Sequence, residues 1–132
     1  MENKIYHIDK VQAREYLKEA KNNHGKIIEI DFKNITNWRE YFAVIEKKFQ
    51  FPRPIKGVHA RYMDWIRDLM WFDNDRYDVF FYHFKKLAKN NFPVAYQIYK
   101  DFREEILPFW EYEAPRCIVG GKTKVFNVYI VE

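Results

Sequence analysis

The chain has 132 residues, 48% hydrophobic and 32% charged, with 23 Lys and Arg against 19 Asp and Glu, a net charge of +4 and one Cys. Twelve Phe, ten Tyr and four Trp can fill a packed core, which excludes disordered, collagenous and low-complexity classes. One Cys excludes an internal disulfide framework and a four-cysteine zinc site, and no apolar run reaches the roughly 18 residues that cross a bilayer, so a compact cytoplasmic domain is the expectation.

In chain order, Asp9 is placed to cap a first amphipathic helix with Val11, Leu17 and Ala20 on one side, stopped by Asn22-Asn23-His24-Gly25. Residues 1–25 read as an N-terminal helical extension to a domain over 26–132. Ile28, Ile30 and Phe32 alternate with Glu29 and Asp31, the period-two mark of a strand. Asn34, Thr36 and Asn37 offer caps, and Asn37 with Glu40 has capping-box spacing, ahead of Trp38, Tyr41, Phe42, Ile45 and Phe49 at helical intervals. Pro52 and Pro54 end that helix near Gln50 and stiffen a loop that closes at Gly57.

A second helix is predicted from about Val58 to Met70, with Val58, Tyr62, Trp65, Ile66 and Leu69 on its apolar face and Asp64 and Asp68 opposite. The apolar run 79–84 reads as a buried parallel strand. A short helix follows over 85–89, and Pro93 suits the first turn of another that ends by Leu107, before Pro108. Residues 109–123 read as irregular, and 124–131 as a closing strand, either a third parallel strand or one also paired antiparallel with 116–119 across Gly120-Gly121. Helical crossovers between strands predict an α/β fold with a three-stranded parallel sheet and about four helices.

The basic balance invites a nucleic-acid reading, which needs clustered Lys and Arg. Four consecutive segments, 1–25, 26–52, 53–76 and 77–107, each hold five cations and four carboxylates, and 108–132 holds three of each. No segment is a basic arm, although folding can still gather the surplus on one face.

Gly121-Lys122-Thr123 ends like a phosphate-binding loop, but position 116 is Arg where that motif needs Gly, and a strand rather than a helix follows. Cys117 has no cysteine-enzyme signature around it, and His7, His24 and His59 lack a second ligand at i+4. No metal, cofactor or catalytic constellation is indicated, and an enzyme is not expected. Asp64 and Asp68 form one anionic helical edge, with Arg61 and Arg67 three residues either side of Asp64 and in reach of it. Trp65 belongs to the apolar stripe, whereas Trp71 and Phe72 fall past the helix end as candidates for exposed contact.

Ile28-Glu-Ile-Asp-Phe32, Phe51-Pro52, Tyr62-Met-Asp-Trp-Ile-Arg-Asp-Leu69, the strand 79–84, Tyr96-Gln-Ile-Tyr-Lys-Asp101 and the closing strand, taken in this order, resemble the barstar family of ribonuclease inhibitors over residues 26–131. The resemblance implies a three-stranded parallel sheet packed with helices and inhibition by occlusion of a partner's active site, carboxylates standing where RNA phosphates would. It matches Asp64 to the family's central inhibitory aspartate and Asp101 to a partner-facing glutamate, with Asp68, Tyr62 and Trp71 as further contact candidates. Ala60 stands where barstar has a second aspartate and Pro54 where it has a loop tyrosine; Arg53, Lys56, His59 and Arg61 make this face more cationic. The expected function is an intracellular inhibitor or immunity protein that binds a nuclease or related toxin; the alternative is a small single-stranded nucleic-acid-binding domain.

Overall fold

Strands β1 (Ile5–Ile8), β2 (Lys26–Asp31), β3 (Arg76–Tyr82) and β4 (Val125–Val131) pair in the order β1-β4-β3-β2, every pair parallel. The structure, a computed structural model, describes residues 3–117 and 123–132, apart from the Cys117 side chain. Gly120-Gly121, the 116–119 pairing and the contacts of Cys117 lie outside the described residues.

The sheet has four strands rather than three. Ile5 pairs with Val128 and Ile8 with Val131, so the N-terminal segment adds an edge strand next to β4 as well as a helix. Four residues carry too little alternation to announce a strand, and the partner that orders them lies at the other end of the chain. Asn3 fixes the join: its side-chain amide donates to the Lys124 carbonyl at 2.9 Å, and its side-chain oxygen accepts the Phe126 N–H at 3.4 Å.

Two helical layers cover the sheet. Helix α1 (Lys10–Asn22) packs Ala13, Tyr16 and Leu17 on one face, against Ile8, Phe80, Tyr129 and Val131. Asp9 caps it as the sequence predicts, its carboxylate accepting the Gln12 N–H and its own N–H donating back to the Gln12 side-chain oxygen, but Val11 points to solvent, 61% exposed. The other face is larger. There α2 (Trp38–Lys48), α3 (His59–Ile66), α4 (Phe84–Asn90) and α5 (Phe92–Lys100) cover Ile28, Ile30, Val79, Phe81, Phe126, Val128 and Ile130. Side chains along β3 and β4 thus alternate between two cores, as a parallel strand buried on both sides requires.

The last helix does not stop before Pro108. From α5 the chain continues in wide π-helical turns over Asp101–Ile106 and Phe109–Glu113 into α6 (Ala114–Cys117). The Leu107 N–H reaches the Phe102 carbonyl and the Ala114 N–H reaches that of Phe109, each five residues back. This longer register lets the helix pass Pro108 and Pro115, whose missing N–H and ring would break a continuous four-residue ladder. The segment brings Trp110 into the core, where its indole N–H donates to the Ile66 carbonyl at 3.1 Å.

The cores are rich in phenols. Burial pushes Tyr41, Tyr62, Tyr77 and Tyr129 well above the usual tyrosine value and Tyr82 to about 12, with neighbouring carboxylates acting in the same direction. Below pH 10 these groups are protonated in both folded and unfolded chains. Above it the unfolded chain ionises while the folded one resists, so stability must fall as pH rises from about 10. Absorbance titration at tyrosinate wavelengths should show these five phenols ionising late and together with loss of far-ultraviolet dichroism. Their independent, noncooperative ionisation ahead of unfolding would contradict this packing.

Candidate functional site

The face formed by the 50–58 loop and α3 collects the charged and aromatic groups that face solvent together. Ile55 anchors the loop, fully buried, while its N–H donates to the Glu46 carboxylate at 2.9 Å. Lys56 and Gly57 then take positive φ, 51° and 71°, turning the chain into α3. A β-carbon at Gly57 would meet nothing, so conformation rather than space favours glycine there. Helix α3 ends at Ile66, and Leu69, at φ 52°, reverses the chain.

A hollow of about 600 Å³ opens on this face, lined by Arg53, Pro54, Lys56, Arg61, Asp64, Trp65 and Asp68. Asp64 is exposed and Asp68 half-buried, the latter accepting the Met70 N–H at 3.2 Å. Arg61 and Arg67 are within sequence reach of Asp64, but no ion pair joins either to it among the described residues. Arg67 instead donates to the Met63 carbonyl at 3.1 Å and lies over the Phe109 ring. Among the described residues neither carboxylate is in an ion pair, and both lie beside a half-buried tryptophan.

The two tryptophans exchange the places the sequence suggests. Trp65 lines the hollow, whereas the Trp71 indole N–H donates to the Phe49 carbonyl at 2.9 Å and its ring meets Phe51 edge-on. Trp71 is a half-buried brace. Phe72, also half-buried, packs on Tyr77.

Asp101 and Tyr62 do not join Asp64 and Asp68 at the surface. Asp101 is 3% exposed and accepts from His59 Nε2 and from the Gln97 amide, each at 2.7 Å. Tyr62 is fully buried, its hydroxyl 2.8 Å from that of Tyr41. The residue that sequence reasoning passed over is His59: 43% exposed, held by Asp101 and packed edge-on against Trp38. It lines a second hollow of about 410 Å³ with Trp38, Phe42, Gly57 and Gln97. His59 and Asp101 stand 42 residues apart, so no local spacing signals their meeting.

Asp101→Ala would leave two donors without their acceptor. Because His59 is partly wet, the expected loss is about 1–2 kcal/mol of stability, read as a fall of several degrees in thermal midpoint. An unchanged midpoint would contradict the holding role.

Among the described residues no group of three or more His, Cys, Asp and Glu can hold a metal ion, and no helix is long and apolar enough to cross a membrane. No protein family, curated protein or solved structure matches the chain.

Proposed function

We propose that this protein is a barstar-like inhibitor or immunity protein, acting in the cytoplasm, that binds and occludes a nuclease or related toxin through the α3 face. The observation that carries this reading is the pair Asp64 and Asp68, exposed or half-exposed, in no ion pair among the described residues, and set beside Trp65 in one hollow. A free carboxylate on a rigid helix is ready to meet a basic phosphate-binding group without first breaking an internal ion pair. From β2 to β4 the chain has α2 and α3 in the first crossover and α4, α5 and α6 in the second, and parallel strands joined by helical crossovers agree with what the family resemblance implies. Arg53, Lys56 and Arg61 line the same hollow, so the complementary surface carries acidic groups around its basic centre. Asp101 serves this face indirectly, by fixing His59 and the start of α3.

Coexpression with nuclease toxins encoded in the same genome tests the proposal. Wild type should restore growth against one of them, and the Asp64→Ala, Asp68→Ala double variant should not. Failure of the wild type against every candidate would remove the reading.

The single-stranded nucleic-acid reading has one observation of its own: Phe92 and Tyr96, 63% and 49% exposed, stack at 5.9 Å on the outer side of α5. Bases can extend such a stack. A gel-shift titration at two salt concentrations separates the two readings, since only this one predicts binding that falls steeply with salt.

A further inference from the structure

On the far side of the molecule from α2 and α3, a groove of about 570 Å³ opens at the carboxyl ends of β3 and β4. Its position follows from topology. The β1-to-β2 crossover puts α1 on one face of the sheet, and the β3-to-β4 crossover starts with α4 on the other. Between those departing connections a crevice is left outside the strand ends, the place where open parallel sheets bind ligands.

The groove has an apolar floor and a cationic rim. Ala13 and Val131 are buried, and Leu17 and the Tyr82 ring are half-buried. The Tyr82 hydroxyl donates to Glu29 at 2.9 Å, which fixes that ring as a wall. Lys10 and Arg14 stand four residues apart on α1, and Lys85 and Lys86 stand opposite on α4. The lining holds one carboxylate side chain, Glu132, and Lys85 pairs with it at 3.2 Å. His83, at the rim, is held by Asp31 at 2.8 Å. Lys10, Arg14 and Lys86 are exposed and have no carboxylate within ion-pair distance among the described residues. Part of the charge surplus that is dispersed in sequence is gathered here by the fold.

We infer that this groove is a binding site for a small organic phosphate with a flat apolar body, of the mononucleotide kind. Three unpaired cations on two facing walls suit a group carrying nearly two negative charges. An arginine fork adds paired hydrogen bonds to phosphate oxygens. A fatty carboxylate would bring a single charge, leaving most of the rim uncompensated. The volume lies within the range of small-ligand pockets, roughly 300–1,000 Å³, and the Tyr82 ring with Leu17 and Val131 offers the apolar contact a base needs.

Calorimetric titration of the full chain with each of the four common 5′-mononucleotides tests the site, beside the nucleoside, ribose 5-phosphate and decanoate. At least one mononucleotide should bind saturably and more tightly than its nucleoside, ribose 5-phosphate or decanoate. The Arg14→Ala, Lys86→Ala double variant, altered only at exposed positions, should bind it about tenfold or more weakly with an unchanged thermal midpoint. Asp64→Ala should bind it as wild type does, so the outcome is separate from that of toxin inhibition. Absence of saturable binding by all four nucleotides, tighter binding of decanoate, or undiminished binding in the double variant would overturn the assignment.

Discussion

Arg76→Met should lower unfolding free energy by about 3 kcal/mol, and the thermal midpoint by about 10 °C for a chain of this size. Asp78, on central strand β3, is fully buried, and its carboxylate accepts two bonds from Arg76, at 2.9 and 3.3 Å, and one from the Tyr129 hydroxyl at 3.1 Å. Removing the guanidinium strands a charge between the strands, and breaking such a pair costs far more than the pair contributes against an apolar replacement. Arg76 keeps 28% side-chain exposure, which holds the expectation to the lower end of the buried-pair range. Adding Asp78→Asn to Arg76→Met should recover part of the loss, because a neutral amide is cheaper to bury than an unpaired carboxylate. A single variant as stable as wild type would contradict the role of the pair.

Trp110→Ala should cost about 3–5 kcal/mol, enough to unfold much of the population if the chain has ordinary stability. Trp110 is 1% exposed, meets Phe109 edge-on at 4.9 Å and donates to the carbonyl of Ile66, the last residue of α3. Truncation therefore leaves both a cavity and an unpaired carbonyl at the end of the helix that carries Asp64. Trp110→Phe keeps most of the volume and loses the bond, for an expected cost of about 1 kcal/mol. Urea unfolding of the two variants separates these contributions, and equal midpoints would show that the hydrogen bond rather than the volume dominates.

Local pattern located most elements on the main face. Asn37, the one of three candidate caps that has Glu40 three residues on, caps α2, and the alternation of Ile28 and Ile30 marks β2, because both signals are complete within a few residues. Strand β1 and the passage through Pro108 were not legible. One depends on a partner at the opposite end of the chain, the other on a helical register that sequence periodicity does not encode. The candidate site divides in the same way. Helical spacing places Asp64 on the outer face of α3, but Asp68, predicted one turn further along the same helix, lies past the helix end at Ile66, and the exchange of Trp65 and Trp71 follows from the reversal at Leu69, which turns Trp71 back onto Phe49 and Phe51. Asp101 is chemically apt for a surface contact and is nevertheless consumed by His59 and Gln97. Its half-turn of helix faces inward, and only the packed structure shows which donors wait there.

The charge surplus also changes meaning with folding. Along the sequence it is even, yet Lys10, Arg14 and Lys86, in no ion pair among the described residues, line one groove, while the α3 face holds Asp64 and Asp68, likewise in none among them. The α3 hollow mixes Arg53, Lys56 and Arg61 with Asp64 and Asp68, whereas the rim of the other groove is cationic.

The most direct measurement is the affinity of the purified toxin partner, once captured, for wild type and for Asp64→Ala by titration calorimetry. A tenfold or greater loss, about 1.4 kcal/mol or more, with no change in thermal midpoint is the result that inhibition through the α3 face requires. Undiminished affinity in both Asp64→Ala and Asp68→Ala would contradict it.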